Sequence, residues 1–326
     1  MKTSTLPERP GRERPGYTWN LQLSQKAYRK CSQSWSLYAC VDSGYKSRIP
    51  IRRTVSIAQL TNRTERSLRV NTTQKVIEME RWQNRVAVVT GASSGIGAAI
   101  VKYLANNGMV TVGLARRKER IEALRDEVKN EAKQRIHAIK CDIRDEADVI
   151  AAFKEIESKY GPVAVLVNNA GIARYGDMLK EGNSQDIRDV IDTNVFGVVW
   201  STREAFRSMK AQGADGHVFL INSVAGHIIP NIPGVSLNIY PPSKHAVTAM
   251  TEIYRQEFLT NNTKIKITSI SPGAVKTEIM GENPPEITDL VFLASEDIAD
   301  ALIYCLQTPP HVQIHELIVK PVGEKF

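Results

Sequence analysis

Tyr240-Pro241-Pro242-Ser243-Lys244 places a phenol four residues ahead of an ammonium, the spacing at which two side chains share one face of a helix. A free tyrosine, with a pKa of about 10, is a poor base near neutrality. A cation about 5 Å away, at an effective dielectric constant near 20, favours the phenolate by roughly 3 kcal/mol, or about two pKa units. Such a phenol can exchange a proton with an alcohol or carbonyl oxygen, and the same lysine can hold a ribose. Two further residues fit this chemistry. Ser223 follows the apolar run Val218–Ile221 and precedes Gly226. From a strand end it can donate a hydrogen bond to a developing alkoxide, although serines there also serve as ordinary turn residues. Asn194 falls inside the apolar stripe of Ile187, Val190, Ile191, Val195 and Val198. A buried amide must be satisfied, so Asn194 belongs either to a structural network or to a proton relay through water.

A second constellation lies near the start of the patterned region. Thr90-Gly91-Ala92-Ser93-Ser94-Gly95-Ile96-Gly97 follows an apolar run and opens an amphipathic one. Glycines 91, 95 and 97 allow a tight turn and a close backbone approach to a pyrophosphate, with helix N-terminal amides aimed at the anion. The spacing alone is a weak signal; its position between a strand and a helix gives it meaning. The next apolar run ends Leu114-Ala115-Arg116-Arg117. An acidic residue there would accept the ribose hydroxyls of NAD. Two guanidinium groups instead suit a 2′-phosphate, so the sequence points to NADP.

These residues need a scaffold, and the hydrophobic pattern supplies one. Apolar runs of strand length (Val86–Val89, Val110–Leu114, Ile136–Cys141, Val163–Val167, Val218–Ile221, Ile265–Ile270 and Ile314–Val319) alternate with amphipathic segments such as Ile96–Asn107, Asp145–Lys159, Gln185–Gln212 and Ser243–Leu259. That alternation predicts an α/β fold: one doubly wound, Rossmann-type parallel sheet with helices on both faces. The chain has 326 residues, 42% of them hydrophobic, enough for a large core. No run reaches the roughly 18 apolar residues that span a bilayer. Cys31, Cys40, Cys141 and Cys305 are too scattered for a zinc site or a disulfide framework, so no metal is expected and a reducing, cytoplasmic setting is the simpler expectation.

The formal net charge of +8 is an N-terminal property. Residues 1–80 hold 15 of the 43 Lys and Arg but only 6 of the 35 Asp and Glu, and the remainder nearly balances, with 28 basic and 29 acidic residues. The body therefore lacks the electrostatic footprint of a nucleic-acid binder. Residues 1–78 show no sustained periodicity and are rich in Ser, Thr, Arg and Gln, which predicts a disordered basic extension ahead of a catalytic domain over 79–326. Its Arg and Ser content also leaves mitochondrial import open, although Glu8 and Glu13 sit early and no amphipathic basic helix is evident.

With these motifs in order, the body resembles the short-chain dehydrogenase/reductase family. The matching positions are the Thr90–Gly97 turn, Cys141-Asp142-Ile143, Asn168-Asn169-Ala170-Gly171, Asn194, Ser223, Tyr240 with Lys244, and Ser271-Pro272-Gly273-Ala274-Val275-Lys276-Thr277. The resemblance implies that Tyr240 is the general acid/base, Lys244 its modulator and ribose ligand, Ser223 the carbonyl polariser and Asn194 the anchor of a relay water. It also implies a cofactor site of Gly91, Ser93, Ser94, Gly95, Ile96, Gly97, Arg116, Arg117, Asp142, Ile143, Asn169, Gly171, Tyr240, Lys244, Gly273, Val275 and Thr277. Of these, Asp142 and Ile143 would meet adenine, Asn169 the adenine ribose region, and Gly273, Val275 and Thr277 the nicotinamide amide. Residues 80–85, 221–227, 247–257 and 308–315 are similar to the branch holding the insect farnesol dehydrogenases and the vertebrate ketosteroid/carbonyl reductases, whose chains begin near Met79. The resemblance further implies a homodimer or homotetramer.

Two departures bear on the substrate. Pro241 and Pro242 follow the tyrosine and push it toward an extended backbone, which predicts Tyr240 as a cap residue. The segment between Ser223 and Tyr240 is long and apolar, with Ile228, Ile229, Ile232, Val235, Leu237 and Ile239, whereas the one after Thr277 is short. An apolar loop there either receives an apolar substrate or packs against protein. The expected activity is hydride exchange between NADP(H) and an alcohol or carbonyl, with an isoprenoid alcohol such as farnesol foremost and ketosteroid or broad carbonyl reduction as the alternative. A non-catalytic NADP-binding regulator would be expected to lack the tyrosine or the lysine, and both are present.

Overall fold

The computed structural model describes residues 79–325 other than 214, 233 and 281–289. The basic extension expected over residues 1–78 lies outside the described residues. All seven apolar runs become strands: β1 Val86–Thr90, β2 Val110–Ala115, β3 Ile136–Lys140, β4 Val163–Asn168, β5 His217–Ile221, β6 Lys266–Pro272 and β7 Glu316–Val319. They form one sheet in the order β3-β2-β1-β4-β5-β6-β7, and every neighbouring pair is parallel.

The central strands β1 and β4 are buried along their whole length and almost wholly apolar, because both faces are covered. Ala87 and Val89 of β1 join Phe219 and Ile221 of β5 in one core, while Val86 and Val88 join Val218 and Leu220 in the other. On the first face lie α1 (Gly95–Asn106), α2 (Lys118–Ala123) and, last in the chain, the helix Ser295–Leu306. Ile100 and Leu104 of α1 and Leu302 and Leu306 of that last helix fill this core. On the second face lie α3 (Glu146–Tyr160), α4 (Ser184–Ile191), α5 (Gly197–Ala211) and α6 (Tyr240–Thr260). Here Phe153, Ile156, Met209 and Phe258 pack together. The last helix is α7. Met79 and Trp82 belong to the first core, and the Trp82 indole donates to the Leu306 carbonyl at 3.0 Å.

The helix expected over Gln185–Gln212 is not continuous. Between α4 and α5, Asp192–Phe196 forms a π-helical turn, and the Gly197 amide donates to Asp192, five residues back. Such single turns insert one extra residue and re-aim the side chains around it. The buried Asn194 sits at its centre.

The strand order places the site. The chain leaves β1 toward β2 on one side and later toward β4 on the other, so the loops at the carboxyl ends of β1 and β4 diverge and leave a crevice. Among the described residues, no helix is long and apolar enough to cross a membrane.

Candidate active site

Residues from the ends of β1, β2, β3, β4, β5 and β6 border one cleft of about 630 Å³. Every sequence-predicted site residue except Gly97 and Asn194 lines it directly.

The glycine turn forms one end. Gly91 and Gly95 adopt φ values of 64° and 53°, a region that favours glycine. A Cβ on Gly91 would lie 2.7 Å from the Ala170 Cα, and one on Gly97 would lie 2.4 Å from both the Asn169 Nδ2 and the Gly91 carbonyl oxygen. Gly97 is thus beneath the cleft, allowing the turn to close on itself. Thr90 holds the neighbouring loop: its hydroxyl accepts from the amides of Asn169 and Ala170, each at 3.1 Å. Asn169 donates back to the carbonyls of Thr90 and Gly91 at 3.0 and 3.1 Å, so its side chain braces the turn. Ser94, the N-cap of α1, makes no side-chain cap, and the first turn carries no acidic residue. The helix therefore presents its N-terminal amides and positive dipole end to the cleft, which is what a pyrophosphate requires.

Arg116 and Arg117 follow β2 at the same end. Arg116 is exposed. Arg117 is half exposed and its Nη2 lies 2.9 Å from Glu278. Asp142 and Ile143 follow β3. The Asp142 carboxylate is taken up by Arg144, with contacts of 3.0 Å from Nε and 2.6 Å from Nη2, and this guanidinium holds it below the usual carboxylate range. Ile143 is buried. At the far wall, Gly273 donates to the Val319 carbonyl at 2.8 Å, and the segment around Val275 pairs with Leu293. Thr277 nearly touches the glycine turn, since a Cβ on Gly95 would lie 2.9 Å from its Cγ2.

At the centre of the cleft Ser223, Tyr240 and Lys244 come together. Ser223 caps the short turn Val224–Gly226, accepting from the Ala225 amide at 3.1 Å, and it borders the same cleft as the Tyr240 phenol. The Lys244 ammonium lies 5.8 Å from the centre of the Tyr240 ring and donates to the Ile221 carbonyl at 2.9 Å. Tyr240 is the first residue of α6, with Ile239 as N-cap, rather than the cap expected from the prolines. The first intrahelical bond comes from Ser243 to Ile239, at 3.0 Å. Pro241 and Pro242 therefore occupy positions whose N–H groups would have no helical partner, and the helix absorbs both without losing a bond.

The electrostatics differ from the expectation drawn from spacing. Burial pushes the Tyr240 phenol up to about 12; the neighbouring Ser223 hydroxyl opposes this and nearby Tyr175 adds to it. Burial likewise draws the Lys244 ammonium down to about 8. Stripping water from both groups disfavours both charged forms, and this outweighs the pull of a cation whose hydrogen bond points at a backbone carbonyl.

Asn194 stands behind these residues. Its Oδ1 accepts from the Ile172 amide at 2.9 Å, and its Nδ2 donates to the Ile172 carbonyl at 3.0 Å and to the Ser243 hydroxyl at 3.1 Å. Ser243 in turn donates to the Tyr240 carbonyl at 2.6 Å. The side chain is thus fully engaged with protein partners. Gly171 sits between Asn194 and Lys244; a Cβ there would lie 3.4 Å from the Asn194 Oδ1 and 3.7 Å from the Lys244 Nζ.

The remaining end of the cleft is apolar. Pro230, Ile232 and Leu237 of the long loop line it together with Ile172, Val224 and Ile279, whereas Ile228 and Ile229 are exposed. The Gly176 amide donates to the Ser236 carbonyl at 3.0 Å, clipping the two loops into a continuous wall. Ser243, Arg144, Tyr175 and Glu278 were not anticipated from sequence. Ser243, Arg144 and Glu278 directly adjoin anticipated residues, but the roles of Ser243 and Glu278 depend on partners distant in the chain.

Comparison with known proteins agrees with this architecture. Residues 85–287 match the family described as short chain dehydrogenase. The chain is 55% identical to farnesol dehydrogenase of Aedes aegypti over 248 residues, covering 76% of this chain and 100% of the relative. It is 40% identical to dehydrogenase/reductase SDR family member 11 of Mus musculus over 256 residues, covering 76% and 97%. Among solved structures, it is similar to an alcohol dehydrogenase from the archaeon Thermococcus sibiricus complexed with 5-hydroxy-NADP, with a TM-score of 0.65 and 27% identity over 74% of this chain and 98% of that one. It is also similar to serine dehydrogenase complexed with NADP+, with a TM-score of 0.65 and 28% identity over 74% and 96%. The chain belongs to the short-chain dehydrogenase family and is an oxidoreductase.

Proposed function

We propose that this protein is an NADP-dependent alcohol dehydrogenase acting on an apolar isoprenoid alcohol of the farnesol type. The observation that carries the reading is the convergence of Ser223, Tyr240 and the Lys244 ammonium, 5.8 Å from the tyrosine ring centre, on a cleft that also holds a glycine cradle flanked by Arg116 and Arg117. The cradle fits the cofactor on steric grounds, because a Cβ at Gly91 or Gly97 would collide with backbone or with Asn169. Gly91, Ser93, Ser94, Gly95, Ile96 and Gly97 would hold the pyrophosphate, Arg116 and Arg117 the 2′-phosphate, and Gly273, Val275 and Thr277 the nicotinamide end. When bound, the cofactor supplies or accepts the hydride.

The chain's own residues handle the proton and the oxygen. Ser223 orients the substrate oxygen and donates to it as negative charge develops. Tyr240 takes the hydroxyl proton during oxidation and returns it to the carbonyl oxygen during reduction. Burial keeps the phenol protonated, ready to donate to a carbonyl; its deprotonation, which oxidation needs, becomes easier as the pH rises. Lys244 places positive charge beside the ring and carries donors for a ribose. Asn194 acts as a positioning residue through Ile172 and Ser243. The apolar wall of Pro230, Ile232 and Leu237 suits a branched hydrocarbon chain. The catalytic unit is taken as residues 79–326. It assembles as a homodimer or homotetramer, for which the exposed Phe196, Ile253 and Leu259 beside or on α5 and α6 offer a surface.

The test is a panel of farnesol, retinol and a ketosteroid with NADP(H) and with NAD(H), run on the wild type and on Tyr240→Phe. The expected result is farnesol oxidation with NADP+, and loss of at least about a thousandfold in turnover for the variant with NADPH binding retained. Preference for the ketosteroid would replace the substrate assignment. Retained turnover in Tyr240→Phe would remove the mechanism.

A further inference from the structure

One ion-pair bridge joins the two walls of the cleft at the end where the 2′-phosphate is assigned. Glu278, on the wall that follows β6, places Oε2 2.9 Å from the Arg117 Nη2 and Oε1 2.7 Å from the Arg120 Nη1. These contacts link positions 161 and 158 residues apart. The same Arg117 nitrogen lies 3.5 Å from the Ser93 hydroxyl on the glycine turn, and both Arg116 and Glu278 border the cleft. Arg117 is the N-cap of α2 and Arg120 lies one turn further on, so the helix presents two guanidinium groups to one carboxylate. These groups hold Glu278 below the usual carboxylate range, and it stays anionic at neutral pH.

We infer that Glu278 is a built-in competitor for the cofactor's 2′-phosphate at Arg117, and so sets how strongly the phosphorylated dinucleotide is preferred over the unphosphorylated one. The inference rests on the proposed reading of Arg116 and Arg117 as the 2′-phosphate site. A phosphate offers more charge and more acceptor oxygens than a carboxylate, so it can take the guanidinium from Glu278. It must nonetheless displace that carboxylate or sit beside it. A ribose bearing only hydroxyls asks nothing of Arg117 and leaves the bridge closed. Glu278 therefore weakens the grip on NADP(H) specifically, which speeds its release. The side chains of Arg117, Glu278 and Arg120 are 50%, 54% and 47% exposed, so water screens the competition and the effect is modest, about two- to fivefold.

Equilibrium dissociation constants for NADPH and NADH, measured by cofactor fluorescence at several sodium chloride concentrations, test this on the wild type, Glu278→Gln and Arg117→Ala. Glu278→Gln should bind NADPH about two- to fivefold tighter, leave NADH within about twofold, and steepen the salt dependence for NADPH only. Unchanged or weaker NADPH binding in Glu278→Gln, with Arg117→Ala still weakening NADPH relative to NADH, overturns the competitor role alone. If Arg117→Ala fails to separate the two cofactors, the 2′-phosphate assignment fails and the inference falls with it. Glu278 is on the surface, so its replacement by glutamine spares the core, and a thermal unfolding curve serves as the folding control.

Discussion

Asn194 offers the sharpest test of how the scaffold holds its reacting groups. Its buried side chain makes three hydrogen bonds, two to the backbone of Ile172 and one to Ser243, and Ser243 continues to the Tyr240 carbonyl. Asn194→Ala leaves the Ile172 amide and carbonyl without these partners and opens a small hole. Each orphaned buried group costs about 1–3 kcal/mol, and water entering from the cleft beside Ile172 recovers part of that. The expected loss is about 2–4 kcal/mol, from a total of about 5–15 kcal/mol for a typical domain. Asn194→Asp keeps the shape and the acceptor for the Ile172 amide but replaces the donor with an oxygen facing the Ile172 carbonyl and the Ser243 hydroxyl. A carboxylate buried there has its folded pKa raised above the unfolded value of about 3.9. The native state then binds more protons between those two pKa values, so the variant's stability falls as the pH rises through that window. Urea unfolding followed by tryptophan fluorescence at pH 5 and pH 8, alongside turnover and NADPH binding, checks both variants. Asn194→Ala unfolding within about 0.5 kcal/mol of wild type, or Asn194→Asp matching it at both pH values, would refute this account of the π-helical turn.

Lys244→Met tests the cost of burying an ammonium. The native lysine titrates at about 8, and an unfolded one near 10.5. The unfolded chain thus holds the proton where the folded one has lost it, and wild-type stability should rise from about pH 8 to 10.5 relative to Lys244→Met. Parallel denaturation midpoints across that range decide it. Gly97→Ala should weaken NADPH binding by at least about tenfold, because its methyl group meets the Asn169 amide and the Gly91 carbonyl and forces apart a turn that must stay closed; fluorescence titration reads this directly. Ile253→Glu, placing a charge on the exposed face of α6, should shift the proposed homodimer or homotetramer toward monomer in sedimentation velocity without changing its far-ultraviolet circular dichroism.

What the sequence discloses follows from where the physics is local. Strands buried on both faces need continuous apolar runs, and seven such runs became the seven strands of the sheet. Asn194 was legible as buried because it interrupts an apolar stripe at helical spacing. The π-helical turn around it was not, because the extra residue is held by bonds to Ile172 and Ser243, far apart in the chain. Tyr240 and Lys244 could be paired from a four-residue spacing, but the directions of their shifts could not. Those depend on how much water the surrounding elements exclude. Arg116 and Arg117 stood out by type and position, whereas the carboxylate on Arg117 comes from Glu278, 161 residues away. The apolar loop before Tyr240 was open to receiving an apolar substrate or packing against protein, and the spacing could not say which of its residues would line the cleft (Pro230, Ile232 and Leu237) and which would stay exposed (Ile228 and Ile229).

The consecutive prolines at the start of α6 act as a mechanical stop. Extending the helix backward by a turn would place Pro241 and Pro242 in its interior, at about 3 kcal/mol each. The start of the helix is therefore pinned at Tyr240, with the Ile239 carbonyl taking its first bond. On the proposed reading of the cleft, the loop ahead of Leu237 can be recoded for another ligand shape while the phenol and the ammonium keep their relative bearing. Substrate choice and proton transfer are thereby separable parts of one chain, and loop grafting between relatives is the natural way to exchange the first without disturbing the second.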